Sequence, residues 1–351
     1  MNVDTAIFGD LLLSTLNARM DEINMKSLSR RSLTHAMLQQ NAVSESGKAI
    51  EVKFRKDRLP AGSYSGYDQR PMEHKELFAG GQVGWKTNDV TVVIDEETLV
   101  LNSGLNIAKI MQYRNINRMP ASHQHTLFDI FQKYHMAALE DLEDEEAGQI
   151  FGDGFNDQGE YKDIEGFPVI FGYDKKYANI DPDDKDIGVF DRVSVTSGQR
   201  DKIWNPRRLD LENESPVTQL HFANLASDVR RGAKTSKIYV AMSEEHYNNL
   251  EYIFEGDKDR DEQAVSLGYT QNMYYPRLNM TFYPEDYIED GTIYGWMPEY
   301  LKLVKNRDLN MQFSGVMVQL DRNVIVYRYK NMCNLRCDSR AHLFLIENAL
   351  P

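Results

Sequence analysis

The stretch that decides the fold is residues 204–250, WNPRRLDLENESPVTQLHFANLASDVRRGAKTSKIYVAMSEEHYNNL. Its first part predicts a helix with Ser215 as N-cap, Pro216 in the first turn and Gly232 as the stop. One face of this helix is apolar and carries Phe222, Leu225, Ala226 and Val229. The strand KIYVAM follows, and Ser243 then caps a second helix with acidic residues in its first turn. A helix, a short strand and a second helix in this order, with strands after them, indicate an α+β fold with mixed and antiparallel sheet.

Two strand patterns precede this stretch and are joined by a long connection. Ile50, Val52 and Phe54 alternate with charged residues, and a second pattern runs from Val83 to Ile94. The connection, RLPAGSYSGYDQRPMEHKELFAGG at 58–81, is far longer than an ordinary hairpin loop and has too few apolar residues to bury itself. It is either a flap over an active site or a segment ordered on another subunit. We favour the second interpretation because the sequence shows no catalytic constellation beneath it.

The sequence also predicts a long helix after Pro120, capped by Ser122. Its apolar stripe is formed by Leu127, Phe131, His135 or Tyr134, Ala138 and Leu142. The run Glu140 to Glu146 ends this helix with acidic residues, where the helix dipole favours basic ones. Either this terminus is frayed and solvated, or basic residues of a neighbouring chain compensate it.

Composition excludes several classes of function. The chain has 351 residues and a net charge of -14, which would repel nucleic acid over most of the surface and argues against sequence-specific DNA binding. Only Cys333 and Cys337 could form a disulfide, so a reducing cytoplasm fits best. The N-terminus has no signal-peptide pattern, and no apolar run approaches the roughly 18 residues of a membrane helix. We therefore expect no membrane contact.

Candidate metal and catalytic motifs fail on spacing. His123 and His125 are two residues apart and point away from each other on a helix, and the zinc-protease pattern is absent. The alternating aspartates at 257–261 lack the glycine and the bidentate glutamate of a calcium loop, so we expect a solvated loop. The sequence GGQVGW at 80–85 predicts only a turn leading into a strand. No catalytic, cofactor-binding or metal-binding residue is predicted.

Taken in order, these elements resemble the major capsid proteins of tailed bacteriophages, the Hong Kong 97-type fold. The resemblance covers nearly the whole chain. It includes a polar N-terminal arm, a long hairpin (the E-loop) ending in VGWKTNDVTVVID, a long spine helix, and the 204–250 stretch. It also includes PRLNMTFYPEDYIEDGTIYGWMPEYLKLV near the C-terminus.

The resemblance implies a domain organisation. It consists of the arm at 1–45, the E-loop at 46–95, the first part of the peripheral domain at 96–205 with the spine helix at about 122–147, the axial domain at 206–310, and C-terminal strands at 311–351 returning to the peripheral domain. The arm and the E-loop would reach neighbouring subunits.

The resemblance further implies a structural protein, with no enzymatic activity and no cofactor. Pentamers and hexamers would assemble in the host cytoplasm into an icosahedral virion shell around double-stranded DNA, which it contacts without sequence specificity. The other partners would be a separate scaffolding protein and a portal; a decoration protein is left open, and no cross-link is expected. We predict inter-subunit contacts at Arg30, Arg31, Lys56, Arg58, Arg70, Trp85, Glu143, Glu145, Glu146, Arg230 and Arg231.

Three alternatives compete with this hypothesis. An encapsulin-like nanocompartment shares the architecture in a shorter chain and encloses cargo. A calcium- or metal-dependent hydrolase would use the acidic loops, and the failed ligand spacings count against it. A secreted β-rich adhesin is disfavoured because no signal peptide is present.

Overall fold

The computed structural model describes residues 32–55, 78–104, 106–112, 121–172, 175–180, 204–211, 216–230, 236–254, 259–267, 269, 271–319 and 322–349. Several predictions lie outside these residues. They concern the arm up to residue 31, the E-loop at 56–77, the cap at Ser215, the stop at Gly232 and the first aspartate of the run at 257–261.

Helices and strands are numbered separately along the chain. The helices are α1 (Leu33–Gln40), α2 (Glu96–Ser103), α3 (Ile107–Gln112), α4 (Ala121–Ile150), α5 (Phe167–Ile170), α6 (Gln219–Val229), α7 (Glu244–Ile253) and α8 (Glu262–Ser266), with a 3-10 turn at Arg340–His342. The strands are β1 (Val43–Glu45), β2 (Ile50–Arg55), β3 (Phe78–Val83), β4 (Lys86–Asp95), β5 (Arg207–Asp210), β6 (Ile238–Met242), β7 (Met273–Tyr275), β8 (Met280–Pro284), β9 (Ile293–Trp296), β10 (Leu301–Asn306), β11 (Gln312–Gln319), β12 (Val324–Cys337) and β13 (Phe344–Glu347).

The chain forms two compact units. Among the described residues, unit 1 is formed by those within Thr87–Ala147 and Lys305–Cys333, and unit 2 by those within Arg31–Lys86, Gly148–Val304 and Asn334–Pro351. Long elements cross from one unit into the other, since α4 ends at Ile150 and β12 at Cys337. These units do not locate symmetry axes, so the predicted peripheral and axial boundaries stay predictions.

The core of unit 1 lies between the long helix α4 and the strands β4, β11 and β12. Strand β12 pairs with both β4 and β11. The predicted stripe of α4 is confirmed, because Leu127, Phe131, His135, Ala138 and Leu142 are all buried. Of the two alternatives at the third position, His135 is the buried one. Phe131 packs on Tyr327 of β12, with ring centroids 6.5 Å apart.

Unit 2 is built around a six-stranded sheet with the order β5-β13-β9-β6-β8-β7. The pairs β6–β8 and β13–β5 are parallel, whereas β6–β9, β13–β9 and β7–β8 are antiparallel. The predicted α+β class with a mixed sheet is therefore confirmed. Helices α6 and α7 cover this sheet, and Phe222 of α6 meets Phe282 of β8 edge to face at 4.9 Å.

Two local predictions were wrong, and one of two open alternatives is excluded. Helix α6 begins at Gln219, not after Ser215, and the N–H of its N-cap Thr218 donates to His221 Nδ1 at 3.3 Å. Gly80 and Gly81 lie inside strand β3 and do not form a turn. Of the two alternatives for the acidic end of α4, the frayed terminus is excluded, because the helix continues to Ile150, which is fully buried. In the described part of the chain, no helix is long and apolar enough to span a membrane.

Candidate assembly surfaces

The predicted contact residues fall into two sets. Trp85, Glu143, Glu145, Glu146 and Arg230 are within the described residues, and the other six, Arg30, Arg31, Lys56, Arg58, Arg70 and Arg231, are outside them. The structure does not gather the described five at one place. Trp85 precedes β4, the glutamates lie on α4, and Arg230 follows α6.

Glu146 is an interior residue of unit 1. Only 1% of it is exposed, and one of its carboxylate oxygens accepts a hydrogen bond from Asn331 Nδ2. Burial, together with the negative charge of Glu146, raises the pKa of the Cys333 thiol well above its usual value. Glu145, in contrast, is exposed on the same helix, and Glu143 is half-buried. Glu146 therefore stabilises the fold of its own chain, whereas Glu145 has an exposed side chain.

Arg230 is half-buried and is used within unit 2. Its Nε donates to the carbonyl of Ser236 at 3.2 Å, and its Nη2 donates to the carbonyl of Asn279 at 2.8 Å. Burial lowers the pKa of this guanidinium, although Tyr274 raises it to a smaller extent. Arg230 thus ties the end of α6 to the chain segments that enter β6 and β8.

The base of the E-loop hairpin is fixed to the rest of unit 2. Strands β2 and β3 pair in antiparallel register from Ile50 opposite Val83 to Arg55 opposite Phe78. A Cβ added to Gly81 would lie 2.0 Å from the carbonyl oxygen of Ala178, so only glycine allows this approach. Trp85 then donates from Nε1 to the carbonyl of Gly47 at 2.9 Å. Both strands therefore enter residues 56–77 from an anchored position.

An apolar groove that the sequence analysis missed lies beside α7. Its volume is about 240 Å³, and it is lined by Pro216, Val217, His246, Asn249, Leu250, Tyr252 and Ile253. Tyr252, which lines the groove, is 79% exposed. Leu220 of α6, four residues after Pro216, is 67% exposed. The signal was present, because Tyr252 and Ile253 are apolar positions outside the inward stripe of Tyr247, Leu250 and Phe254. Exposed apolar surface of this kind marks interaction sites in soluble proteins.

A second exposed apolar feature is the ordered loop after α4. Phe155 is 53% exposed and Tyr161 is 46% exposed, and their rings meet edge to face at 5.1 Å. Asn156 Oδ1 accepts hydrogen bonds from the N–H groups of Gln158 and Glu160, which fixes the loop. Lys86 Nζ lies 3.9 Å from the centre of the Tyr161 ring and donates to its carbonyl. This acid-rich loop is thus a rigid projection with aromatic side chains at its surface.

One residue of the acidic motif, Asp261, and one histidine of the long helix, His135, are interior residues. Asp261 was predicted to lie in a solvated loop, and this was wrong: it is 4% exposed and pairs with Lys237 Nζ at 2.5 Å. Its Oδ2 also accepts from Thr281 Oγ1 at 2.9 Å. His135 packs against Tyr329, with ring centroids 4.9 Å apart, and burial lowers its pKa to about 4. Among the described residues, no cluster of three or more His, Cys, Asp or Glu side chains could hold a metal ion.

Comparison with known proteins gives a fold and no sequence family. No protein-family model and no curated protein matches the chain. The capsid protein of cyanophage A-1(L) superposes with a TM-score of 0.58 at 11% identity, over 92% of this chain and 97% of that chain. The capsid of a native GTA particle gives 0.54 at 10% identity, over 92% of both chains. The capsid of an empty GTA particle gives 0.51 at 11% identity, over 89% and 96%.

These three likenesses extend over nearly the full length of both chains, although the sequences have little in common. A match of this extent covers both compact units, not one shared motif. The chain therefore has the fold of these capsid proteins, as its resemblance to Hong Kong 97-type major capsid proteins predicted.

Proposed function

We propose that this chain is a major capsid protein, which assembles through pentamers and hexamers into an icosahedral phage head enclosing double-stranded DNA. The observation that carries the proposal is the fold itself, shared with the cyanophage A-1(L) capsid over 92% of this chain. The role is structural, without catalysis, and the protein would reside in the virion.

The exposed apolar groove supports assembly, because its apolar surface is in contact with water in a single subunit and would be buried in a contact with a neighbour. Tyr252 and Ile253 line this groove and are exposed large apolar side chains. Aromatic residues are enriched at the centres of protein interfaces, where their burial contributes much of the binding free energy. The groove is thus a candidate contact between neighbouring subunits.

The predicted charged contacts extend this proposal. Glu145 is exposed near the end of α4, and its negative charge would attract basic residues of a neighbour such as Arg30, Arg31 or Arg231. Lys56, Arg58 and Arg70 belong to the E-loop, which would lie across the adjacent subunit. We propose these contacts from the charge pattern and the resemblance.

Net charge is consistent with a container for DNA. At -14, the chain would leave the packaged genome free of tight contact with the shell wall, so that DNA is touched without sequence specificity. A separate scaffolding protein and a portal would direct assembly, and a decoration protein would bind the finished surface if one is used.

The experiment that tests this proposal is analytical ultracentrifugation of the purified full chain over a range of concentrations, with and without calcium. We expect rings or shells far heavier than one chain. Tyr252→Glu should reduce assembly because it places a charge on the groove. Asn248→Glu adds the same charge at an exposed position of the same helix that does not line the groove, and should assemble normally.

Two outcomes would favour other functions. A monomer at every concentration that gains heat stability with calcium would contradict the proposal and favour the hydrolase alternative. Closed shells that enclose protein cargo in place of DNA would favour the encapsulin-like alternative. If both charge variants assemble equally, the groove is not an assembly surface, whereas the capsid function would stand.

A further inference from the structure

A buried carboxyl group holds the first turn of helix α1. Glu285 directly follows β8 and is only 1% exposed. Its backbone N–H donates to the carbonyl of Met242 at 2.8 Å, so its position is fixed by the central sheet of unit 2. Its Oε2 accepts hydrogen bonds from the backbone N–H of Thr34 at 3.2 Å and from Thr34 Oγ1 at 2.9 Å.

The hydrogen bonds around Thr34 form a series in which each group donates to the next. Trp296 Nε1 can only donate, and it donates to the hydroxyl of Tyr283 at 3.0 Å. The Tyr283 hydroxyl is 2.8 Å from Thr34 Oγ1, which in turn donates to Glu285 Oε2. This series of hydrogen bonds therefore ends on Oε2 of Glu285, which acts as an acceptor. The other oxygen, Oε1, is buried without a hydrogen-bond partner among the described residues.

This arrangement leaves Oε1 as the place where a proton can be held. Protonation there keeps the hydrogen bonds at Oε2, and removal of the proton leaves a buried negative charge with no basic partner in the described part of the chain. Burial raises the pKa of Glu285 to about 7, and the nearby Asp286 adds to the rise. The hydrogen bonds from Thr34 and the influence of the Ser32 hydroxyl lower the pKa without cancelling this rise.

The groups around Glu285 come from β8, β6 and α1. Strand β8 contributes the hydroxyl of Tyr283, whose pKa is raised by burial and by Glu285 itself. The exposed Asp286 follows in the next turn. Strand β6 contributes the carbonyl of Met242, and α1 contributes hydroxyl and N–H groups from Ser32 and Thr34. Helix α1 also carries the buried imidazole of His35, whose Nε2 lies 3.0 Å from Gln39 Nε2.

Helix α1 is the cover of this site. It has eight residues, of which Leu33 to Leu38 are buried, and its far end is held because Gln263 Nε2 donates to Gln40 Oε1 at 3.0 Å. If α1 leaves its place, Glu285 regains contact with water. We infer that Glu285 is a proton-operated latch, which holds α1 most firmly when its carboxyl is protonated and loosens α1 when it ionises. This inference goes beyond the proposed function and does not depend on it.

The direction of the effect follows from the two states of the site. The docked state binds the proton more strongly than the open state, whose carboxyl has the usual pKa of 4.5. The stabilisation of docked α1 is therefore complete below pH 4.5 and is lost as the pH rises through about 7. Between pH 6 and pH 8, linkage predicts that opening of α1 rises about tenfold.

Hydrogen exchange of the α1 amides in the full chain tests this inference, with rates at pH 6 and pH 8 corrected for the intrinsic pH dependence of exchange. The β6 amides serve as an internal reference for opening of the whole unit. We expect the tenfold rise in the wild type and in Asp286→Asn, which removes the exposed neighbouring charge. Glu285→Gln keeps an acceptor for Thr34 but cannot ionise, so its α1 opening should be independent of pH.

Two results would overturn the latch. The first is a wild type in which α1 opens equally at pH 6 and pH 8, or in which the change in α1 opening is centred near pH 4.5. This result needs only the wild type, so it can be obtained even if Glu285→Gln does not fold. The other is a tenfold rise that persists in folded Glu285→Gln, because another group would then control α1.

Discussion

Replacing His135 with phenylalanine should make unit 1 less sensitive to acid. His135 is 5% exposed, packs on Tyr329, and makes no hydrogen bond from either ring nitrogen to a described residue. A protonated imidazole in this place would be a buried charge without a partner. The fold therefore keeps His135 neutral, and its pKa falls from 6.5 to about 4.

The size of the effect follows from linkage. A base whose pKa is lowered on folding contributes stability above its unfolded pKa of 6.5, and this stability is lost as the pH falls toward 4. Between pH 7.5 and pH 4.5 the loss is about 2.5 kcal/mol, which corresponds to about a 70-fold increase in unfolding. His135→Phe removes this contribution while it fills the same apolar space. The variant should therefore lose about 2.5 kcal/mol less than the wild type over this pH range.

Hydrogen exchange of α4 amides is the suitable assay. All three tryptophans, at 85, 204 and 296, belong to unit 2, so fluorescence would not follow unit 1. His123→Gln is the matched control, because His123 lies on the same helix and is only half-buried. If the wild type and His135→Phe lose the same stability between pH 7.5 and pH 4.5, the account of a neutral, buried His135 is refuted.

Three further substitutions test other parts of the fold, each by denaturant unfolding. Arg340 is fully buried and donates to the carbonyls of Ile170, Lys175, Val169 and Gly172, so Arg340→Met should cost roughly 3 kcal/mol or more by leaving buried acceptors unpaired. An unchanged denaturation midpoint would show that the hydrogen bonds of Arg340 to these carbonyls do not contribute to stability. Gly81→Val should destabilise the hairpin base by about 3 kcal/mol, whereas Gly84→Ala, with open space around its Cβ, should change stability by less than about 0.5 kcal/mol. Equal effects would contradict the close approach to Ala178. Lys237→Met should cost about 3 kcal/mol by stranding the charge of Asp261, and Lys237→Met with Asp261→Asn should recover part of it; no recovery would mean that the two side chains are not coupled.

Local periodicity carried most of the correct predictions from sequence. The stripe of α4 and the alternation of β2 and β4 depend only on residues close in sequence, and the structure confirms them. The apolar face of α6 was likewise predicted, although its first turn was placed too early. Helix starts are harder to predict because Ser215 and Thr218 are both good caps, and the choice between them depends on His221.

Contacts between distant residues account for what the sequence did not predict. Glu146 and Asp261 belong to acidic runs that resemble solvated surface. Their burial depends on Asn331 and Lys237, which no spacing rule connects to them. The glycine pair at 80–81 was interpreted as a turn. In the structure, glycine is required at 81 because the backbone of Ala178 lies against it, and this contact cannot be inferred from the sequence. The groove beside α7 is formed by α7 and by Pro216 and Val217 before α6, and only the fold provides their relative position.

The most direct test of the central claim is electron cryo-microscopy of particles formed when the chain is expressed alone and with its neighbouring reading frames. The proposed function predicts closed shells in which rings of five and six copies surround the symmetry axes, with the hairpin that begins at β2 lying on an adjacent subunit. A chain that stays monomeric under both conditions, without rings or shells, would contradict it.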